Sequence, residues 1–175
     1  TTGRLICFDK DTDALSFAKE RLKEHASKIT FINRNFADIE EVLEELNIDG
    51  VDGILADLGV SSYQIDTAER GFSFMRDARL DMRMNKTQEL DAFKVVNTYG
   101  EEELSKIMFM YGEEKNSRQI ARKIVKFREN KSLETTFELR DIIVSSYPPK
   151  FQNKPSLCNK VFQAIRIEVN NELND

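Results

Sequence analysis

Short apolar runs alternate with amphipathic segments through the first third of the chain. Arg4-Leu5-Ile6-Cys7-Phe8 reads as a short buried strand ending at Asp9. Residues 12–25 follow a helical period, with Ala14, Leu15, Ala18 and Leu22 on one face and Asp11 or Thr12 as cap. Ile29-Thr30-Phe31-Ile32 predicts a second strand, leading into Asn33-Arg34-Asn35-Phe36. A short helix is expected over 39–46 and a third strand over Val51–Ala56, closing at Asp57. Strands alternating with helices argue for a parallel sheet in an α/β fold.

The pattern then changes. Residues 59–85 are rich in Ser, Gly, Asp, Arg, Phe and Met and hold no clean period. A loop of that length in a compact domain is functional or disordered, and Phe72, Phe74, Met75, Met82 and Met84 argue against disorder. From residue 88 the strand signal fades. Helices are expected over 91–98, over 101–111 with Gly112 as C-cap, and over 117–129 with Asn116 as N-cap. Thr135 and Glu138 form a capping box for 136–146, Pro148-Pro149 ends that helix, and a last helix runs from about Lys160 to Leu173.

Composition narrows the reading only a little. The net charge of −5 argues against a protein that coats nucleic acid over its whole surface. The charge is uneven, however: 115–131 carries Lys115, Arg118, Arg122, Lys123, Lys126, Arg128 and Lys131 against Glu129 alone. Two distant cysteines, Cys7 and Cys158, and a single histidine, His25, suit no metal site, and the cysteines read as small hydrophobes in a reducing cytoplasm. No apolar run is long enough to span a bilayer, and no signal peptide is read ahead of the first strand.

Ligands of open α/β sheets sit outside the carboxyl ends of the strands. Asp9, Phe36 and Asp57 follow successive predicted strands and are expected on one rim. A carboxylate at Asp9 can accept from both hydroxyls of a ribose, or cap the next helix. Phe36 can cover an adenine, or pack in the core. Gln64, in the loop over that rim, can donate and accept toward a cofactor or base. Arg70-Gly71-Phe72-Ser73-Phe74 and Leu80-Asp81-Met82-Arg83-Met84 can hold a base displaced from RNA by stacking and hydrogen bonding. Equally, Phe and Met can pack inward while Asp81 and Arg83 pair. Arg118, Arg122 and Lys126 share a helix face that can meet phosphates, or simply face solvent. No P-loop, nucleophile elbow or metal-ligand cluster is present.

Asp57-Leu58-Gly59-Val60-Ser61-Ser62, Ala68-Glu69-Arg70-Gly71-Phe72-Ser73-Phe74 and Leu80-Asp81-Met82-Arg83-Met84 make the chain recognisable. With Val96-Asn97-Thr98-Tyr99, Tyr111-Gly112-Glu113-Glu114, Arg118-Gln119-Ile120-Ala121 and Phe162-Gln163-Ala164-Ile165-Arg166-Ile167, it resembles the ribosomal RNA small-subunit methyltransferase H (MraW) family over essentially its whole length. The resemblance implies a class I, Rossmann-like methyltransferase sheet with an inserted α-helical domain. On that pattern 1–85 belongs to the methyltransferase domain and its active-site loop, 86–158 is the insert, and 159–175 is the return helix.

The family implies S-adenosylmethionine as cofactor and the exocyclic amine of one cytosine in bacterial small-subunit ribosomal RNA as target. Substrate is then free RNA or the assembled small subunit. Cofactor contacts carried over by motif are Asp9, Phe36, Asp57 and Gln64. Asp57 is the first candidate to accept the amine's hydrogens and Asp81 the second. Arg70, Phe72, Phe74, Arg83, Arg118 and Arg122 are the candidates for RNA. Tyr63 and Arg79 stand where the family usually has Pro, and Asn85 replaces a usual Asp. Cys158-Asn159-Lys160 lacks the usual His-Pro and Thr-Arg pattern. The family's first strand and Gly-rich cofactor loop would precede Thr1, so the chain is expected to be an inactive internal fragment with an incomplete sheet. Two rivals are a non-catalytic RNA-binding module, using 117–129 and 70–84, and a nicotinamide-dependent Rossmann enzyme, which the motifs disfavour.

Overall fold

A computed structural model describes residues 3–173. The ends of the expected first and last segments, 1–2 and 174–175, lie outside the described residues. The chain divides into two compact units, one formed mainly by residues up to Leu58 together with Met84–Thr87, the other by Gly59–Arg83 and Gln88–Leu173.

The first unit is α/β. Strand β1 (Leu5–Phe8) pairs in parallel with β2 (Ile29–Ile32), with Leu5 opposite Ile29 and Phe8 opposite Ile32. Helix α1 (Thr12–Arg21) connects them. Its N-cap is Asp11, buried, whose carboxylate accepts from the Asp13 amide at 3.0 Å. The helix buries Leu15 and gives way to a 3-10 segment at Lys23–Lys28, earlier than its apolar period suggests. Helix α2 (Ile39–Glu45) follows β2 and buries Val42.

The expected third strand does not form. Residues 51–56 take no strand structure, and Ile54 and Leu55 are 72% and 97% exposed. A strand needs neighbours for its N–H and C=O groups. Among the described residues no hydrogen bond ties 50–60 to another segment. An apolar run is therefore present without the ladder that would make it a strand.

The second unit is helical. Its elements are α3 (Ser62–Asp66), α4 (Ala92–Thr98), α5 (Glu101–Gly112), α6 (Ser117–Arg128), α7 (Thr136–Ser145) and α8 (Asn159–Asn170). Leu104, Met108, Ile120, Ile124, Leu139, Ile143, Val161 and Ile165, spaced by three or four along their helices, meet in one core. Thr135 and Glu138 make the expected capping box on α7. Gly112 does not cap α5; it is the last helical residue, and Glu113 takes the left-handed turn at φ 51°. Glycine is needed there for another reason: a Cβ on Gly112 would lie 2.3 Å from the Lys160 carbonyl, so α5 and α8 touch backbone to backbone. No helix of the described residues is long and apolar enough to cross a membrane.

Candidate active site

In the α/β unit Asp9 and Phe36 follow the carboxyl ends of β1 and β2, whereas Asp57 follows no strand, so the expected rim of three strand ends is not formed. The Asp9 amide donates to the Ile32 carbonyl at 3.1 Å, extending the ladder by one bond. Asn33 Nδ2 donates to the carbonyls of Asp9 and Lys10, at 3.0 and 3.1 Å, and so ties the ends of β1 and β2 together. Asp9 is exposed, with Oδ1 accepting from the Asp11 amide at 2.8 Å. Three residues past Asn33, Phe36 opens a 3-10 turn capped by Asn35, and the residue is 42% exposed. Asp57 lies in the exposed, unladdered segment that ends at Leu58.

In the helical unit Gln64 is buried on α3. Its Oε1 accepts from the Ser61 amide at 2.9 Å, and its own amide donates to Ser61 Oγ at 3.2 Å. The capping box is legible in Ser61-Ser62-Tyr63-Gln64, although Gln64 attracted notice only as a ligand.

Two loop segments, 70–74 and 79–83, are drawn into one structure. The Met82 amide donates to the Arg70 carbonyl at 3.0 Å, and Arg70 Nη2 donates to the Arg83 carbonyl at 2.8 Å. Gly71, between them, has φ 69° and no room for a side chain: a Cβ would lie 2.5 Å from the Arg79 oxygen and 2.9 Å from the Asp81 nitrogen. Arg70 is only 5% exposed, and its guanidinium lies 5.7 Å from the Phe72 ring centre. Phe72 and Phe74 are half-buried against the core, Phe74 meeting Phe162 edge-on at 5.2 Å. Met82 is fully buried and left-handed, φ 59°. For a side chain of that size this is an uncommon conformation, and it persists only where the surroundings determine it.

Asp81 and Arg83 face each other. Arg83 Nε donates to Asp81 Oδ1 at 2.9 Å and Nη2 to Oδ2 at 2.7 Å, while Nη1 donates to the Gln88 carbonyl. Arg79 is 4.0 Å from Asp81 and 2.8 Å from Asp91, the N-cap of α4. Burial alone would push the Asp81 carboxyl up. Hydrogen bonds from Arg83 and the charges of Arg83 and Arg79 outweigh it and hold the carboxyl below its usual range. Asp81 is thus an ionised acceptor at neutral pH, with much of its capacity already engaged.

Asn170, not singled out in the sequence, reaches this loop from the far end of the chain. Its buried Nδ2 donates to the Met82 carbonyl at 2.8 Å and to the Arg166 carbonyl at 2.9 Å. The only signal for it was an amide on the buried stripe of α8, beside Val169 and Ile165. Gln88, likewise unforeseen, donates to the Val169 carbonyl at 2.7 Å.

Helix α6 divides cleanly. Ser117, Ile120, Ala121 and Ile124 are buried, and Arg118, Gln119, Arg122 and Lys126 are exposed. Arg122 lies 3.4 Å from Glu101, whereas Arg118 and Lys126 have no carboxylate within salt-bridge distance among the described residues. Nor do three His, Cys, Asp or Glu side chains of those residues gather where a metal ion could be held.

Comparison with known proteins bears on this arrangement. The model of the MraW methylase family matches residues 1–175. Proteins named ribosomal RNA small subunit methyltransferase H, from Clostridium botulinum, are similar to the chain. The one from strain Kyoto / Type A2 is 57% identical over 171 residues, 98% of this chain and 55% of the relative. That from strain 657 / Type Ba4 is 56% identical over the same shares. The chain thus spans about half the length of the curated relatives it matches.

Proposed function

The chain belongs to the MraW methylase family, and on that footing we propose that it is the core of an enzyme that moves a methyl group from S-adenosylmethionine to the exocyclic amine of a cytosine in small-subunit ribosomal RNA. The observation that carries the proposal is the 57% identity to a named ribosomal RNA methyltransferase over 98% of the chain. The finer claim, cytosine N4, rests on the motifs at 57–62, 68–74 and 80–84.

The residues present suit the cofactor. Asp9 offers an exposed carboxylate for ribose hydroxyls at the carboxyl end of β1, and Phe36 an exposed ring for adenine beyond β2. Asp57 and Gln64 are the further contacts proposed. When bound, S-adenosylmethionine supplies a methyl carbon already activated by its sulfonium. The cytosine amine is a weak nucleophile because its lone pair is delocalised into the ring. An acceptor for its hydrogens shifts electron density toward nitrogen as the transition state forms. Asp57 is proposed as that acceptor, and as the base that takes the proton the amine sheds. Asp81, engaged by Arg83, ranks second: its acceptor strength is already shared.

Arg70, Phe72, Phe74, Arg83, Arg118 and Arg122 are the residues proposed to serve RNA binding. Arg118 and Arg122 support the reading as exposed cations, whereas Arg70, buried, and Arg83, engaged by Asp81, are proposed to act by holding the loop that carries Phe72 and Phe74 rather than by touching RNA themselves. The division into a methyltransferase part, 1–85 and 159–175, and a helical insert, 86–158, is retained as a proposal. Ile54 and Leu55, exposed without a strand partner, support a further one: that a strand outside the described residues pairs with 51–56. On that reading the 175 residues alone do not turn over.

Transfer of a labelled methyl group tests the function, with deproteinised RNA and intact small subunits as alternative substrates. Asp57→Asn abolishes turnover and leaves RNA affinity nearly unchanged. Full activity in that variant removes Asp57 from the mechanism. RNA binding with no transfer by the protein at the full length of its relatives favours the non-catalytic module. Micromolar binding of S-adenosylmethionine to the 175 residues alone, measured by calorimetry, overturns the incompleteness of the sheet.

A further inference from the structure

Basic residues continue past α6 along the chain. Asn116 Nδ2 donates to the Ser146 carbonyl at 2.9 Å, and Lys123 Nζ donates to the Ser145 carbonyl at 2.5 Å, so α6 lies against the end of α7. The chain then turns at Pro148-Pro149, and Gln152 Nε2 donates back to the Tyr147 carbonyl at 2.8 Å. That turn presents Lys150, Phe151 and Lys154. Both lysine ammonium groups gather on one ring, 4.8 and 5.2 Å from the Phe151 centre.

Two features make this arrangement point to a ligand. The first is charge. Neither 115–128 nor 142–167 contains an Asp or Glu, and no carboxylate of the described residues pairs with Lys150 or Lys154. Two like charges held at one ring repel each other, and an anion between them relieves the repulsion. The second is the ring itself. Phe151 is partly exposed and is not among the aromatic residues that pack on the core, unlike Phe72, Phe74 and Phe127. A phenyl group outside the core with two cations beside it combines a stacking ring with phosphate contacts, the combination by which single-stranded nucleic acid is held.

We propose that Lys150, Phe151 and Lys154 continue the basic face of α6 into one track for single-stranded RNA, in which a base stacks on Phe151 while the lysines hold its flanking phosphates. The proposal deepens the ribosomal RNA reading above and rests on it. It adds a contact point beyond α6 and a preference: unpaired nucleotides, not duplex, because only an unstacked base reaches the ring.

Fluorescence anisotropy with a labelled single-stranded oligoribonucleotide and the purified protein tests it. Phe151→Ala weakens binding roughly 5- to 100-fold, the range for losing one stacked base, and Phe151→Tyr restores it. Lys150→Gln with Lys154→Gln flattens the dependence of log affinity on log salt by about 1.4, two phosphates at about 0.7 each. Arg118→Gln with Lys126→Gln flattens it by a similar amount. Thermal melts of each variant match the parent, since none of these side chains is in the core.

Wild-type affinity and salt slope in both the Phe151→Ala and the paired lysine variants overturn the proposal. So does equal binding of a duplex, or of an acidic polypeptide, with Phe151 irrelevant. Methyl transfer separates the two readings. Transfer by the wild type with Phe151 silent removes only this track, whereas Phe151-dependent RNA binding with no transfer removes only the enzymatic reading.

Discussion

Substituting Gly71 by alanine isolates what the loop crossing at 70–83 contributes. The glycine has φ 69°, a conformation that costs an L-residue about 1–2 kcal/mol. The added methyl would also sit 2.5 Å from the Arg79 oxygen and 2.9 Å from the Asp81 nitrogen, both backbone atoms. Side chains can rotate away from such a contact, but a peptide group tied into hydrogen bonds cannot. The Leu80 amide donates to the Glu134 carbonyl and the Ala92 amide to the Asp81 carbonyl, so both flanks are anchored. Overpacking of this kind adds about 1–3 kcal/mol. A reduced entropy of the unfolded chain returns about 0.4–1 kcal/mol. The net loss is about 3 kcal/mol, a large part of the ~5–15 kcal/mol that stabilises a domain.

Urea unfolding followed by far-ultraviolet circular dichroism reads the helical unit directly. With a slope of about 2 kcal/mol per molar, the midpoint falls by about 1.5 M. Gly50→Ala is the internal control, because a Cβ there meets nothing within 4 Å. It shifts stability by no more than about 0.5 kcal/mol. A Gly71→Ala midpoint within error of the Gly50→Ala midpoint refutes the reasoning, since it would mean the two loop segments do not cross as described.

Other outcomes follow from individual groups. Asp81→Asn removes the charge and one of the two oxygens that accept from Arg83 and lowers stability at pH 7 by about 2 kcal/mol, the range for a charged hydrogen-bonded partner. Because the folded Asp81 carboxyl is held below its unfolded value, its contribution is present above about pH 4 and is lost as pH falls through the folded value. The gap between parent and variant in urea titrations therefore closes on acidification, and a gap that widens contradicts the sign. Cys158 is buried, and burial pushes its thiol up to about 11. It stays unreactive toward a thiol reagent in the native protein at neutral pH and reacts on unfolding; rapid native labelling of Cys158, read by peptide mass, disproves its burial.

The strands 5–8 and 29–32 were readable because four-residue apolar runs end at polar residues, and both halves of β1–β2 are local in sequence. Helix α6 was readable for the opposite reason, a long clear period with cations on one side and Ile120 and Ile124 on the other. Segment 51–56 also carries an apolar signal, yet a strand is a property of pairs, and no segment of the described residues pairs with it. Gly71 and Met82 were unreadable in detail because their backbone is set by Arg79, Asp81 and Asn170, the last nearly ninety residues away from Met82. The site divides the same way. Asp9 and Phe36 were placed by the strands before them. The pairing of Asp81 with Arg83 was one of two readings the sequence allowed, and only the fold separates them.

The central claim is the chemistry at one cytosine. Small-subunit ribosomal RNA is incubated with S-adenosylmethionine carrying a deuterated methyl group and with the protein at the full length of its relatives. The RNA is then digested to nucleosides and analysed by mass spectrometry. The account predicts deuterated N4-methylcytidine from a single site, lost in Asp57→Asn. Label on a ring carbon or a ribose oxygen, or no label with an otherwise folded and RNA-binding protein, contradicts it.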